Sequence, residues 1–318
     1  MKRINLLLII LMVICTVAII LYADGGPEIA EKAGAFKTSV PTTAAGPSSA
    51  IQESARKQLS TTIAASKSEP LHATASPTTE PLVPSTIVSS HSFTEPTTGM
   101  EFLPVAGGCF QMGNNSGDSD EKPEHQVCLD GYYTGKYEVT QEQWQRIMGN
   151  RPSFFTSCGD NCPVENVSWN DVQEFIRKLN QLNGRTYRLL TEAEWEYACR
   201  SGGKAERFCG GDDIDAVAWY DENSSSKSHP VGEKKPNGLG IFDMSGNVWE
   251  WANDLFDKDY YSKASIRNPE GPTSGSKRVI RGGSWYNDLR NVRASIRGSD
   301  EPDHRSINLG FRLAFSTQ

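Results

Sequence analysis

The chain reads Asp243-Met244-Ser245-Gly246-Asn247-Val248-Trp249-Glu250-Trp251 in its final quarter, where a turn signal meets an alternating aromatic segment. Gly246 and Asn247 favour a turn, because both residues tolerate left-handed backbone conformations that bulky residues resist. Trp249 and Trp251 flank Glu250, so an extended backbone directs both indoles to one side and the carboxylate to the other. The stretch therefore predicts a turn that leads into a strand with two different faces.

The two acids near the ends of this stretch suggest a metal site. Asp243 and Glu250 bracket a run of backbone carbonyls, and carboxylate and carbonyl oxygens are the ligands that Ca²⁺ prefers. The alternative interpretation is a turn that feeds a half-buried aromatic strand, with both acids merely solvated. The spacing alone leaves the two interpretations open.

Composition excludes some classes of partner. The chain has 318 residues, a net charge of −7 and seven cysteines, with a pI near 5.4. An acidic chain gives no support to a nucleic-acid or anionic-membrane partner. Seven cysteines are too few for a small disulfide scaffold but enough for several bridges.

The N-terminal segment, residues 1–23, has the features of a signal peptide or a signal anchor. Lys2 and Arg3 precede an apolar run over residues 4–21, which is the order found in secretory signals and in uncleaved anchors. The tripeptide Leu21-Tyr22-Ala23 is a poor match to a small-x-small cleavage site, which favours the anchor. Either alternative predicts an extracytoplasmic domain that contacts the membrane only through this segment.

A change in composition separates a linker from a folded domain. Residues 24–97 are dominated by Ser, Thr, Ala and Pro and have little apolar patterning. Such a segment cannot bury enough apolar surface to offset the entropy that it would lose on ordering. We therefore predict a disordered stalk over residues 24–97. The remainder, residues 98–318, has the size of one domain with a single core.

Local patterns in residues 98–318 predict an α+β fold with unusually high loop content. Three capping signals predict helices, and they are Thr140, Ser168 with Asp171, and Thr191 with Glu194. Short apolar segments predict strands at residues 101–105, 109–113, 126–129, 132–139, 217–220, 248–251, 278–280 and 310–315. A domain so rich in loops needs covalent bridges or bound ions to hold it together.

Six cysteines follow the apolar run, at Cys109, Cys128, Cys158, Cys162, Cys199 and Cys209. An even number in an extracytoplasmic chain indicates disulfides, although six cysteines allow fifteen pairings. Pairing of neighbours is the simplest arrangement: Cys109 with Cys128, Cys158 with Cys162, and Cys199 with Cys209. Cys199 has an alternative, because its predicted helix also accommodates a buried free thiol.

Six different motifs follow one another along the domain: Tyr137-Glu138-Val139-Thr140, Pro163-Val164-Glu165-Asn166-Val167-Ser168-Trp169, Thr191-Glu192-Ala193-Glu194-Trp195-Glu196-Tyr197-Ala198, Gly246-Asn247-Val248-Trp249-Glu250-Trp251, Arg281-Gly282-Gly283-Ser284-Trp285 and Asn308-Leu309-Gly310-Phe311-Arg312-Leu313. Together they resemble the formylglycine-generating enzyme (sulfatase-modifying factor) family, from about residue 98 to the end of the chain. The resemblance implies a C-type-lectin-like fold with short mixed sheets, a few helices and bound calcium.

The resemblance also implies a set of calcium ligands. The family's calcium loop falls on Asp243, Gly246, Val248 and Glu250, with Gly246 and Val248 acting through their backbone carbonyls. Asp243 stands where relatives have Asn, and it is an equally hard and more strongly charged ligand. We therefore expect calcium to stabilise the folded domain.

The resemblance does not extend to the copper site of the family's oxidases. Those enzymes oxidise a cysteine of a sulfatase peptide with O₂ and a copper ion held by two thiols, which follow the Gly-Gly-Ser turn. Here Asn287 occupies the first thiol position, and no cysteine follows Cys209. Cu(I) needs thiolate ligands, which an amide does not replace. We therefore expect neither copper nor the oxidase mechanism, and we assign no catalytic residue.

The segment after that turn suggests a different role. Between Trp285 and Asn308, polar and aromatic residues alternate with framework residues, and such a mixed set resembles a recognition surface. The candidate ligand-binding residues are Trp285, Tyr286, Asn287, Asp288, Ile296, Ser299, Asp300, His304 and Ser306. The alternative is ordinary variation in surface loops.

The sequence thus predicts an exported, calcium-stabilised domain that binds a protein, peptide or small-molecule ligand through residues 285–307. The alternative is an enzyme of the family, either an oxidase with an unrecognised mechanism or another oxygen-dependent oxidoreductase with a non-standard site. A cysteine with thiolate character near Tyr286 would favour the enzyme.

Overall fold

Residues 91–317 are the part of the chain that the computed structural model describes. The predicted N-terminal segment 1–23, residues 24–90 of the predicted linker and Gln318 lie outside the described residues. None of the described helices is long and apolar enough to cross a membrane.

The described chain forms short strands and short helices joined by long loops. The strands are β1 (Phe93–Thr94), β2 (Glu101–Val105), β3 (Gly108–Met112), β4 (His125–Leu129), β5 (Tyr132–Gly135), β6 (Tyr187–Leu189), β7 (Ala218–Trp219), β8 (Ser245–Gly246), β9 (Trp249–Leu255), β10 (Arg278–Arg281), β11 (Arg297–Asp300), β12 (Leu309–Gly310) and β13 (Leu313–Ser316). The α-helices are α1 (Gln141–Met148), α2 (Trp169–Asn183), α3 (Glu192–Cys199) and α4 (Ile214–Val217). Single 3₁₀ turns occur at Ser119–Glu121, Thr156–Cys158 and Tyr260–Ser262.

The largest sheet joins the two ends of the domain. Its strand order is β1-β2-β5-β13-β6, and its neighbours are antiparallel. The ring of Phe93 packs against Phe102 and Phe315, with centroid distances of 6.2 and 5.6 Å. The folded domain therefore begins before residue 98, the boundary expected from the sequence. The composition of the sequence did not indicate this earlier start of the domain, because Phe93 is a single aromatic residue at the end of a long polar segment.

The second sheet has the order β11-β10-β9-β12, in which β12 runs parallel to β9 and the other pairs are antiparallel. Its strand β9 has the two faces that the alternation predicted. Trp251 is buried in the apolar core, whereas the carboxylate of Glu250 is buried among polar groups. Two further pairs, β3 with β4 and β7 with β8, complete the strand pairing of the described residues.

The three predicted helix caps are all present, and each of them forms a capping box. In each case the side-chain oxygen of the residue before the helix accepts a bond from the backbone N–H three residues later. The side chain of that later residue accepts a bond from the backbone N–H of the capping residue: Gln143 from Thr140, Asp171 from Ser168, and Glu194 from Thr191. These bonds satisfy N–H groups that the first turn of a helix leaves unpaired. Gly149 and Gly184 end α1 and α2 in left-handed conformations, with φ of 79° and 64°.

Two buried ion pairs connect the sequence motifs across the fold. Arg312 donates from Nη2 and Nε to the two carboxylate oxygens of Glu250, at 2.6 and 2.7 Å. Arg297 donates to the two carboxylate oxygens of Glu192 in α3, at 2.7 and 2.8 Å. Removal of one partner of such a pair leaves an unpaired buried charge, so each pair fixes the relative position of two distant segments.

Three disulfides bridge the described chain: Cys109–Cys128, Cys158–Cys162 and Cys199–Cys209. This is the pairing of sequence neighbours. The alternative of a free thiol at Cys199 is wrong, since Cys199 is bonded to Cys209. Stable disulfides are typical of proteins that work in oxidising compartments outside the cytoplasm.

Candidate functional site

The turn before β9 is built from left-handed residues. Asp243, Gly246 and Asn247 have φ of 59°, 80° and 56°. A Cβ atom on Gly246 would lie 2.1 Å from the carbonyl oxygen of Trp219, so only glycine fits there. The Asn247 side chain donates to the His229 carbonyl at 3.2 Å and accepts from the His229 N–H at 2.9 Å. The turn is therefore fixed to two neighbouring segments.

Three carboxylates and one guanidinium interact beneath this turn. Glu138, Asp243, Glu250 and Arg312 are all buried. Glu138 accepts a hydrogen bond from the backbone N–H of Val248 at 3.1 Å. Arg312 is bound to Glu250, so the other two acids have no cation of their own in the described structure. The cluster therefore holds more negative than positive charge.

The pKa values of Glu138 and Asp243 are shifted upward in this cluster. Burial raises the pKa of Glu138 well above its usual range, and the charges of Asp243 and Glu250 raise it further. Burial also raises the pKa of Asp243 to about 6. The Oδ1 atom of Asp243 is buried and has no hydrogen-bond partner among the described residues. An unsatisfied oxygen in a negatively charged pocket fits a bound cation.

The predicted calcium ligands fit this pocket unequally. Asp243 has the free oxygen, whereas both oxygens of Glu250 accept bonds from Arg312, and Oε2 also accepts one from Trp195 Nε1 at 2.8 Å. Within residues 91–317, no group of three or more Asp, Glu, His or Cys side chains is placed to hold a metal ion. A cation at this turn would therefore depend on Asp243 and on backbone carbonyls.

The predicted ligand-binding residues divide into exposed and buried members. Tyr286 is 70% exposed, and His304 is exposed as well. The intermediate members are Asn287, Asp288, Ser299, Asp300 and Ser306. Trp285 and Ile296 are only 6% and 4% exposed, so their assignment to the surface is wrong. Both are large apolar side chains that the loop turns inward, and Trp285 also donates from Nε1 to the Ile307 carbonyl at 3.4 Å.

Asn287, at the first thiol position of the resemblance, belongs to the framework. Its Oδ1 accepts bonds from Trp249 Nε1 at 2.9 Å and from Ser284 Oγ at 2.7 Å. Its backbone carbonyl accepts a bond from the Asp221 N–H at 3.1 Å. Asn308 donates to the same Ser284 hydroxyl at 3.1 Å. The amide thus joins β9 to the Gly-Gly-Ser turn.

A pair of phenylalanines from another loop extends the predicted surface, and sequence reasoning missed them. Phe154 is 64% exposed. The Phe155 ring lies 5.1 Å from that of Phe154 and 5.3 Å from that of Trp285. Trp285 in turn contacts Tyr286 at 5.5 Å. We call Phe154, Phe155, Tyr286 and Ile307 the aromatic surface, and the buried Trp285 lies between its two loops. Two adjacent aromatic residues in a loop were the signal that could have revealed it.

Exposed apolar side chains concentrate on these loops. Residues 91–317 include six large hydrophobic residues that are exposed: Phe154, Tyr286, Leu289, Ile307, Leu182 and Ile266. Four of them, Phe154, Tyr286, Leu289 and Ile307, belong to the loops of the aromatic surface. Leu182 and Ile266 lie outside these loops. Scattered exposed apolar residues are ordinary, but a cluster of them marks an interaction site.

A buried glutamate holds the phenylalanine loop in place. Glu165 is fully buried, and its Oε1 accepts a bond from the Phe155 N–H at 2.9 Å. The Glu165 N–H donates to Ser153 Oγ at 3.2 Å. Its Oε2 has no partner in the described part of the chain. Burial raises the pKa of Glu165 to about 7, although bonds from the Phe155 and Phe154 backbone oppose the shift.

Replacing Glu165 with Gln is expected to flatten the pH dependence of stability. The folded state keeps the Glu165 proton up to about pH 7, whereas an unfolded glutamate releases it near 4.5. The unfolded chain therefore binds fewer protons in this window, and stability falls as pH rises through it. Glu165→Gln cannot ionise and should retain about 3 kcal/mol that the parent loses across this window. Urea denaturation at both ends of the window measures the difference, and identical pH profiles would contradict it.

These features define a disulfide-bridged α+β domain of the formylglycine-generating enzyme type. Residues 88–317 match the family model described as the sulfatase-modifying factor enzyme 1-like domain, and the chain belongs to this family. The fold class expected from the sequence is confirmed.

Related sequences have several different names. The chain is 37% identical over 193 residues to the formylglycine-generating enzyme of Streptomyces coelicolor, an alignment that covers 55% of this chain and 59% of that enzyme. It is 31% identical over 264 residues to the chaperone protein LppX of Paenibacillus barcinonensis, covering 67% of this chain and 88% of that protein. The chain thus spans about three-fifths of the length of the Streptomyces relative.

Solved structures share the fold over nearly their whole length. Treponema denticola variable protein 1 superposes with a TM-score of 0.66 at 32% identity, covering 71% of this chain and 99% of that one. PvdO from Pseudomonas aeruginosa superposes with a TM-score of 0.63 at 26% identity, covering 72% and 98%. Because the names of these relatives differ, membership of the family establishes the fold of this chain. Its activity has to be inferred from the residues of the site.

Proposed function

We propose that this chain is an extracytoplasmic, ligand-binding member of the family, stabilised by calcium and without copper-dependent oxidase activity. The aromatic surface is the observation that carries the proposal. Phe154 and Tyr286 are 64% and 70% exposed at the two ends of one row of rings. Large aromatic side chains held in water by a folded scaffold are typical of binding sites, where they supply much of the affinity.

The scaffold beneath this surface supports a role in binding. Trp285 is buried at the middle of the row, Asn287 is held by Trp249 and Ser284, and Glu165 holds the Phe155 backbone. A surface whose backbone is already fixed loses little conformational entropy when it binds a ligand. The two loops are therefore prepared for binding in the free protein.

The chemistry of the site argues against the copper mechanism. The family's oxidases hold copper through thiols, and the amide of Asn287 takes the first thiol position. All six cysteines in residues 91–317 are paired in disulfides, so the described chain offers copper no free thiolate. Catalysis remains the second candidate, because the Streptomyces relative is named a formylglycine-generating enzyme.

The same disulfides support an extracytoplasmic location. Thiols are kept reduced in the cytoplasm of most cells, so three disulfides in one domain support a location outside it. The basic and apolar sequence of residues 1–23 supports export and anchoring. Fractionation of cells that express the full chain, with protease added to intact cells, tests both parts of this proposal.

A turnover assay separates binding from catalysis. The full chain, loaded with calcium and shown to be folded, is incubated with a sulfatase-type Cys-x-Pro-x-Arg peptide, copper and O₂. We expect the mass of the peptide to stay unchanged while the Streptomyces enzyme, run in parallel, converts it. Conversion by this chain would replace the binding proposal with an oxidase that uses a different site.

Calcium is expected to raise the melting temperature through Asp243 and the backbone carbonyls of Gly246 and Val248. A ligand at 100 times its Kd stabilises the folded state by about 2.7 kcal/mol, which corresponds to roughly 5–10 °C for a domain of this size. Melting curves with calcium and with EDTA measure the shift. Asp243→Ala removes the side-chain oxygen and should lose most of the shift, whereas Glu270→Ala, a change at an exposed acid, should retain it. A melting temperature that EDTA leaves unchanged would exclude the calcium site.

A further inference from the structure

The arginines that border the aromatic surface are neutralised within the domain. Three of them lie on its loops or beside them, and each forms an ion pair of 2.6–2.7 Å: Arg151 with Asp160, Arg290 with Asp288, and Arg305 with Asp171. These guanidinium groups already have carboxylate partners, so they contribute little free positive charge to a ligand at this surface.

Several acids on the neighbouring segments form no ion pair within the described residues. Four exposed carboxylates have no ion pair in the described structure: Asp221, Glu222, Glu301 and Asp303. Asp221 is next to the surface, because its N–H donates to the Asn287 carbonyl at 3.1 Å. The segment that contains Glu301 and Asp303 leads directly to Ile307. Two exposed cations without an ion pair, Lys227 and Arg207, lie on segments that are bonded to residues 285–307, and they reduce this negative excess but do not cancel it.

The aromatic surface thus combines an apolar centre with an acidic rim. We propose that its partner is a protein segment that presents apolar side chains flanked by lysine or arginine. This inference rests on the proposed function, because it assigns the partner class of the same surface. Apolar side chains bury against Phe154 and Tyr286, and the faces of these rings also attract cations. Unpaired carboxylates at the rim attract basic residues and repel nucleic acids and anionic membranes.

The apolar centre and the acidic rim of the aromatic surface are expected to contribute differently to the binding of a partner. Loss of a central aromatic anchor removes buried contact area and lowers affinity strongly. A change of charge at a solvated rim acts mainly on the rate of association and on its dependence on salt. A peptide that fits the surface should therefore lose at least tenfold in affinity with Tyr286→Ser. It should lose about threefold with Glu301→Lys and Asp303→Lys combined, with a weaker response to salt.

Selection from a random library tests the partner class even though no ligand has been identified. A phage library of random dodecapeptides is selected on the biotinylated full chain in calcium buffer, and the enriched peptides are synthesised. We expect them to be rich in lysine or arginine together with aromatic or aliphatic residues. Fluorescence anisotropy then measures their affinity for the parent chain and for Phe154→Ser and Tyr286→Ser.

Matched controls come from exposed apolar residues elsewhere in the domain. Leu182 and Ile266 are 61% and 58% exposed and lie outside the aromatic surface. Leu182→Ser and Ile266→Ser should leave peptide affinity unchanged, whereas Phe154→Ser and Tyr286→Ser should lower it. Circular dichroism and melting curves confirm that each variant is folded, which is expected since all four side chains are mostly in water.

The outcomes distinguish this inference from the proposed function. Peptides that bind through Tyr286 but are acidic or uncharged overturn the partner class and leave the binding function standing. Failure to obtain any peptide whose binding depends on Tyr286 or Phe154 overturns both. Basic, apolar peptides whose affinity falls with Tyr286→Ser and with the rim reversal support both.

Discussion

Replacing Arg312 with Met is expected to lower the free energy of unfolding by about 4 kcal/mol. Arg312 is 1% exposed, binds both oxygens of Glu250, and donates to the carbonyls of Gly135 and Phe242 at 3.1 and 2.9 Å. Methionine fills a similar volume but has no donor, so the Glu250 carboxylate loses its cation and two carbonyls lose the donor that Arg312 supplied. Breaking a buried pair costs about 3–5 kcal/mol, a large part of the roughly 5–15 kcal/mol that is typical of whole domains. Urea denaturation measures the loss.

A second variant shows that the loss comes from the unpaired charge. Adding Glu250→Gln to Arg312→Met removes the carboxylate that the first change leaves without a partner, while the amide oxygen still accepts from Trp195 Nε1. The double variant should therefore be more stable than Arg312→Met alone, an interaction that a double-mutant cycle isolates. Arg177→Met is the surface control, because Arg177 and its partner Glu174 are both in water. If Arg312→Met shifts the midpoint no more than this control, the ion pair does not hold the motifs together.

This ion pair also shows what local patterns could not reveal. The alternation around Glu250 predicted a carboxylate on the face opposite Trp251, and the structure confirms it. Nothing in that alternation indicated that the partner would be Arg312, 62 positions away. The same holds for the ion pair of Glu192 with Arg297, whose members are 105 positions apart. Local hydrophobic periodicity predicts which face of a strand or helix a residue occupies. Which residues form a buried ion pair depends on the path of the chain through loops, and loops have no periodic sequence pattern.

Three of the four α-helices in residues 91–317 were predictable because their signals are local, whereas α4 has no side-chain cap and its Val217 was assigned to a strand. A capping box requires residues only three positions apart. Both predicted boxes formed, and the predicted cap at Thr140 forms a third. Strand β11 was not predictable, since Arg297-Gly298-Ser299-Asp300 has neither alternation nor β-branched residues. It is a strand because its backbone pairs with β10, from Arg281 opposite Arg297 to Arg278 opposite Asp300. Tertiary pairing can determine a short strand whatever its own propensity.

The candidate site was predictable only in part, because residue types are local information and burial is not. The segment 285–307 was identified from its residue types, and Tyr286 and His304 are exposed as expected. Residue type alone does not tell whether a loop turns a large side chain inward, so Trp285 and Ile296 were misplaced. Phe154 and Phe155 were missed because they come from a segment about 130 positions earlier. The fold brings the two loops together through ring contacts that no local pattern records.

Removing the Cys199–Cys209 disulfide is expected to cost about 3–4 kcal/mol. The two cysteines are 10 positions apart, and closing a loop of that length in the unfolded chain accounts for about 2.7 kcal/mol in the chain-entropy model. Both side chains are buried, so replacement by Ala also leaves unfilled space in the core. The variant Cys199→Ala/Cys209→Ala should denature at clearly lower urea than the parent under oxidising conditions.

The Cys158–Cys162 disulfide provides the comparison that tests this argument. Its cysteines are only 4 positions apart, for which the same model gives about 1.9 kcal/mol. Cys158 is also half-buried, so its replacement disturbs less packing than the loss of Cys199. Cys158→Ala/Cys162→Ala should therefore be the more stable of the two double variants. The reverse order would mean that strain or residual structure in the unfolded chain outweighs loop length and burial, because only those effects can invert the ranking.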